Sequence, residues 1–329
     1  MKNILIILFL TLANVIFAQE KTTIKGINRV GLSVKNLDES VAFYSNGMQL
    51  KEVKRCSESG SDKATQKSDL SEKVRKSSIL QGVNCFLELM EFRGAASQDL
   101  SQMPIQGPGI THVCYQAPKD KPIYEKVKTL SAKIVSRGNQ PIDRGFGYTY
   151  SYARDLNNIM FEMEHLEKPP FKEDVIVGHV ALVTPDMDRL VKFYTQLLGI
   201  EPHTRRDSIR NNPKLDDIAN IDGLKMRAAW FKTGSIGLEM WSFENPKTNE
   251  VKTPSPYHQI GYNKVVFEVE NIDSEYKRLK DLGVIFLSEP NVNQGNTTVY
   301  ARDPDGNLIG LEQLKSDSIM SLDRLNIKK

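Results

Sequence analysis

"INRVGLSVKNLDESVAFYSNGMQL" (27–50) and "VGHVALVTPDMDRLVKFYTQLLGI" (177–200) are two copies of one pattern, about 150 residues apart. In each, apolar residues first alternate with period two. A short polar turn follows, and apolar residues then recur at helical spacing around a Phe-Tyr pair, Phe43-Tyr44 in one copy and Phe193-Tyr194 in the other. These two periods give a strand and then an amphipathic helix, because each buries one face of its element. A second stretch behaves in the same way: "GITHVCYQAPKDKPIYEKVKTLSAKIVSRGNQP" (109–141) returns as "GYNKVVFEVENIDSEYKRLKDLGVIFLSEPNVN" (261–293). The chain therefore reads as a tandem duplication of a two-module unit.

Each module begins with an alternating strand, passes through one helix of about three turns and ends in several short strands. The expected fold is α+β, four βαβββ modules in two domains. The first domain spans 25–167 (modules 25–93 and 109–167), the second 175–315 (modules 175–243 and 261–315), and a tail occupies 316–329. Polar or Pro/Gly-rich linkers at 94–109, 167–174 and 244–261 mark the boundaries.

The first eighteen residues, MKNILIILFLTLANVIFA, carry one early positive charge, a short apolar run and a small residue at the end. They read as a secretory signal peptide cleaved near Ala18, which makes the mature protein exported. No later stretch is apolar for long enough to span a membrane. Lysine and arginine number 44 against 41 acidic residues, and neither sign forms a long block, so nothing points to nucleic acid or an anionic membrane surface. Cys56, Cys85 and Cys114 fit neither a disulfide framework nor a zinc knuckle and read as packing residues.

The repeat, the Phe-Tyr helices, the "GITHV" start and the "RDPDGNLI" end (302–309) resemble the vicinal oxygen chelate superfamily, which includes glyoxalase I, extradiol dioxygenases and the bleomycin resistance proteins. The resemblance covers nearly all of the mature chain. It implies that paired modules curl into open, glyoxalase-like barrels, with a divalent metal held by residues of the first and last strands of each module.

Alternation places those positions. His112, Cys114 and Gln116 face inward from "THVCYQ", Glu162 and Glu164 from "IMFEME", His179 and Ala181 from "GHVALV", and Glu239 and Trp241 from "GLEMWS". By module, the metal positions fall on Arg29 and Glu88, His112 and Glu162, His179 and Glu239, and Lys264 and Gly310. Imidazole and carboxylate suit Ni, Zn, Co, Mn or Fe, whereas a guanidinium cannot ligate and glycine offers no ligand atom.

Two pairings follow. Neighbour pairing, as in extradiol dioxygenases, puts a fixed cation in each cavity. Pairing across the duplication, as in two-domain glyoxalases, collects His112, Glu162, His179 and Glu239 in one cavity and leaves Arg29, Glu88, Lys264 and Gly310 as a basic, metal-free pocket. Arg29, Glu88, Lys264 and Trp241 are the expected pocket residues, and a small molecule is the expected partner.

The leading expectation is a metal-dependent lyase or isomerase of glyoxalase type, in which Glu162 or Glu239 moves the proton. The alternatives are a metal-free binding protein of the resistance type and an extradiol-type dioxygenase. Glu164 and Glu312 are expected at the cavity rim, His165, His203 and His258 at the surface, and Trp230 in packing. Arg205, Arg206 and Arg210 are expected in an exposed charged loop, and the polar segment 56–78 as a lid or plain surface.

Overall fold

The computed structural model describes residues 21–57, 74–92, 103–251, 254 and 256–325. The expected leader and most of the polar segment 56–78 lie outside the described residues.

Module one comprises β1 (Ile24–Ser33), α1 (Leu37–Met48), β2 (Lys51–Ser57), β3 (Val74–Gln81) and β4 (Phe86–Phe92). Module two comprises β5 (Gly109–Pro118), α2 (Ile123–Thr129), β6 (Lys133–Ile134), β7 (Ile142–Gly145), β8 (Tyr148–Arg154) and β9 (Met160–Leu166). Module three comprises β10 (Ile176–Val183), α3 (Met187–Leu198), β11 (Thr204–Ile209), α4 (Pro213–Ala219), β12 (Lys225–Lys232) and β13 (Gly237–Asn245). Module four comprises β14 (Gly261–Val269), α5 (Ile272–Asp281), β15 (Asn291–Asn293), β16 (Asn296–Arg302) and β17 (Leu308–Gln313).

The helices begin where the sequence offers a cap. Asn36 accepts hydrogen bonds from the backbone of Asp38 and Glu39 at the start of α1, and Asp186 does so from Arg189 at the start of α3. The α3 helix stops at Gly199, whose φ of 67° is the left-handed conformation that a terminating glycine adopts without a side-chain clash.

In every module the first strand pairs in parallel with the last, β1 with β4, β5 with β9, β10 with β13 and β14 with β17. The first strands then join antiparallel, β1 to β14 and β5 to β10. The result is an eight-stranded sheet made by modules one and four, and a nine-stranded sheet made by modules two and three. Each sheet forms an open barrel. The segments 25–167 and 175–315 are thus halves of the duplication rather than the two barrels, since each barrel draws one module from either half.

Sequence neighbours meet instead through the helices. The Tyr44 hydroxyl of α1 donates to Asp155 Oδ2 of module two at 3.0 Å, and Tyr194 of α3 donates to Asp303 Oδ2 of module four at 3.1 Å. Both aspartates head the tight turn before the last strand, where Asp303 accepts from the backbone of Asp305 and Asn307. One hydrophobic core, including Leu32, Tyr44, Tyr115, Val180, Tyr194 and Phe267, runs through all four modules.

Three local expectations change. The α2 helix has 7 residues, shorter than three turns. Residues 316–325 are docked, with Met320, Leu322 and Leu325 packed against Ile79 and Phe86 and the Met320 carbonyl accepting from Asn28. The polar run after Arg210 contains a helix, α4, capped by Asn212 and opened by Pro213.

Candidate metal centre

The four central strands of the nine-stranded sheet lie in the order β13, β10, β5, β9, and each sends one side chain to the concave face. These are Glu239, His179, His112 and Glu162. His179 Nε2 lies 2.9 Å from Glu239 Oε2 and 3.2 Å from Glu162 Oε2. His112 Nε2 lies 3.1 Å from Glu162 Oε2 and 3.9 Å from Glu239 Oε2. All four donor atoms fall within 4.8 Å of one another. A first-row ion bonded at about 2.0–2.2 Å spaces its neighbouring ligand atoms about 3–3.5 Å apart, so this set fits such an ion.

The surroundings of His112 sharpen the fit. Thr111 Oγ1 lies 3.1 Å from His112 Nδ1 and 3.4 Å from the Ala181 carbonyl, which fixes the ring with Nε2 toward the acids. Nε2 faces Glu162 Oε2 at 3.1 Å, and a contact that short needs a cation or a proton between the two atoms. Glu239 shows the same need: Oε1 accepts from the Trp230 indole at 2.6 Å, while buried Oε2 has no hydrogen bond of acceptable angle.

The charges respond to this crowding. Burial alone raises the Glu162 carboxyl, but its bonds to His112 and His179 outweigh that and hold it at about 2. Burial opposes a charge on His179, yet Cys114, Glu239 and Glu162 together hold the ring well above the usual imidazole value. Burial, reinforced by the charge on Glu162, pushes Glu164 up to about 7.

Glu164, expected at the rim, is buried and accepts from Gln116 Nε2 at 2.5 Å. Cys114, read as packing, lies beside His179, with its sulfur within 4.8 Å of the ring's ligand atom. Trp230, also read as packing, orients Glu239; its register partner across β12 and β13 is Glu239 itself, a signal that needed strand pairing to be seen. His165, expected at the surface, is buried and accepts from the Ile123 backbone at the start of α2.

The rest of the cavity is aromatic. The Trp241 and Tyr152 rings stand 5.2 Å and 5.3 Å from His112, and the buried Trp241 Nε1 has no partner. Helix α4 forms a roof, with Ile218 packed among Trp241 and Tyr152 and its carbonyl accepting from Ser136. Arg137 pairs with Asp217 and Asp222 across the edge of this roof. His112 is wholly buried, whereas 12% of the His179 side chain is exposed, so the site opens on the His179 side.

The eight-stranded sheet has a different centre. Arg29 Nε lies 2.8 Å from Glu88 Oε2 and Nη1 bonds to Glu312, while Lys264 Nζ lies 2.9 Å from Glu88 Oε2 and 2.7 Å from the Tyr257 hydroxyl. Glu312, expected at the rim, supplies the second acid, so two cations face two carboxylates. The expected basic pocket is in fact a neutral network, and its charges hold Glu88 at about 2 against burial. At Gly310 an added Cβ would meet the Tyr300 ring at 2.9 Å, so the tyrosine fills the space of the missing carboxylate. Arg29, Glu88 and Lys264 share this barrel, and Trp241 belongs to the other, so the four expected pocket residues do not form one pocket. Arg205 pairs with Asp188 and Asp207 at the surface, and Arg206 and Arg210 are exposed.

The family model described as Glyoxalase/Bleomycin resistance protein/Dioxygenase superfamily matches residues 26–163 and 176–311. A Bacillus subtilis protein, uncharacterized protein YetH, is 28% identical over 137 residues, 42% of this chain and 97% of that one. Crystalline glyoxalase I from Zea mays superposes with a TM-score of 0.61 at 18% identity, over 88% of this chain and 92% of that one. A putative dioxygenase from Bacillus subtilis superposes with a TM-score of 0.58 at 13% identity, over 94% and 91%. At these identities the structural likenesses establish the fold.

Proposed function

Since the chain belongs to the glyoxalase/bleomycin resistance protein/dioxygenase superfamily, we propose that it is a divalent-metal-dependent lyase or isomerase acting on a small oxygenated substrate. The observation that carries this reading is the convergence of His112, Glu162, His179 and Glu239 from four adjacent strands. These residues would hold the ion, which supplies Lewis acidity to two neighbouring oxygens of the substrate.

The chain's own groups divide the remaining work. Glu162, buried with Oε2 3.1 Å and 3.2 Å from the two imidazoles, serves as an anchor. Glu239, held at Oε1 by the Trp230 indole and beside His179 at Oε2, would be the carboxylate that accepts a proton from the substrate and returns it to a neighbouring atom. Trp230 keeps that carboxylate aimed. The unpartnered Trp241 Nε1–H donates to a substrate oxygen, and the aromatic walls exclude water from the proton in transit.

Metal analysis of dialysed protein tests the reading. One equivalent of divalent ion is expected for the native chain and none for His112→Ala. Absence of bound metal in the native chain, together with no loss of function on that substitution, would leave the resistance-type binding protein as the better account.

The apolar leader at 1–18 supports export as part of the same reading. Amino-terminal sequencing of protein recovered outside the cytoplasm should begin just after Ala18. Glutathione, confined to reducing compartments, is then a poor candidate for part of the substrate.

A further inference from the structure

The hairpin of β7 and β8 stands at the mouth of the barrel that holds the metal cluster. Its counterpart in module four, β15 and β16, shows this: there Asn293, Gln294 and Asn296 line a cavity of about 130 Å³ together with Arg29, Glu88 and Glu312. The correspondence is close, since Thr298 stands opposite Glu312 in one barrel and Tyr150 opposite Glu164 in the other.

One side chain of this hairpin has no counterpart in the other barrel. Arg144 stacks on the Tyr150 ring at 5.6 Å, and its Nη1 is buried without a hydrogen-bond partner. Arg144 sits in a bulge between Asp143 and Gly145, whereas the matching strand of module four pairs without a bulge and places Val292 at the position of Asp143. Among the described residues no acid pairs with the guanidinium. Asp143 accepts from the Gly145 backbone at 2.7 Å, and Glu164 accepts from Gln116. A second cation stands close by, since Lys214 Nζ of α4 lies 3.8 Å from where a Gly145 Cβ would be.

A guanidinium over an aromatic ring, with a desolvated N–H and no acceptor, is poised for a planar anion. We propose that Arg144 binds a carboxylate of the substrate, so that the molecule taken by this site is an anion as well as an oxygen chelator. This rests on the metal-site reading above and adds the charge of the substrate to it. The turn that follows Arg144 is tight: three successive residues, Gly145, Phe146 and Gly147, have left-handed φ values of 81°, 57° and 80°.

The test uses the full chain loaded with Co(II) and follows its visible absorption during titration with three chelators: 4-methylcatechol, 3,4-dihydroxybenzoate and 3,4-dihydroxyphenylacetate. The two carboxylates should bind at least about tenfold tighter than the neutral catechol. Arg144→Gln should erase most of that preference while changing the affinity for 4-methylcatechol by less than about twofold, and Arg144→Lys should keep part of it. Equal affinities in the native chain, or a preference that survives Arg144→Gln, would overturn the proposal and leave the metal site standing. Absence of any cobalt spectrum would overturn the metal-site reading and this inference with it.

Discussion

The two barrels descend from one plan and hold opposite solutions to the same electrostatic problem. In each, four adjacent strands bring a carboxylate-bearing cluster to a dry concave face, where negative charge cannot stand unpaired. The barrel of modules one and four answers with covalent cations, Arg29 and Lys264, and with Tyr300 filling the space over Gly310. The barrel of modules two and three has no lysine or arginine at those positions. It presents two imidazoles and two acids, an arrangement that an added divalent ion could complete. The difference teaches that buried carboxylates in this fold need a counter-charge of one kind or the other: Arg29 and Lys264 neutralise Glu312 and Glu88.

This contrast can be broken from either side. The largest effect should follow Arg29→Met, which strands Glu88 and Glu312 in the interior. A loss of about 3–5 kcal/mol in urea unfolding is expected, with metal binding in the other barrel unchanged. The double variant Arg29→Met with Glu312→Gln should recover part of that loss.

Next comes His112→Ala, which should weaken metal affinity by at least about a hundredfold in competition with a chromogenic chelator, since a direct ligand outweighs the groups that orient it. A third effect concerns pH in the metal-free protein. The folded Glu164 carboxyl is raised to about 7, so its contribution to stability is present below its unfolded value and is lost as pH rises through 7. Glu164→Gln should therefore match the native chain at pH 4 and exceed it by up to about 3 kcal/mol at pH 9 in denaturant titrations. The smallest change expected is that of Trp230→Phe, which frees Glu239 Oε1 and should lower metal affinity by about tenfold with no change in metal stoichiometry.

Much of this was legible in the sequence. Period two alone put His112, Glu162, His179 and Glu239 on inward faces, and the duplication matched each to its counterpart. The orienting groups were not legible. Trp230 looks like any apolar strand residue until β12 is laid against β13 in the register that puts it opposite Glu239. Glu164 reads as a rim group because nothing local shows that Gln116, 48 residues away in sequence but opposite it in the β5–β9 pairing, will cover it. Gly310 suggests an empty position, and only the pairing of β16 with β17 reveals the ring that fills it.

The residue pattern by itself determined four modules, their internal order and the side of every strand that faces a cavity, because these follow from local periodicity and repetition. Which modules share a barrel was decided by tertiary structure. The linkers at 94–109, 167–174 and 244–261 reach either arrangement, and β1 or β10 offers the same alternating edge to either partner. The choice lies in long-range packing: antiparallel joining of β1 to β14 and of β5 to β10, and helices that tie sequence neighbours through Tyr44 to Asp155 and Tyr194 to Asp303. That arrangement alone brings the two histidines within reach of one ion.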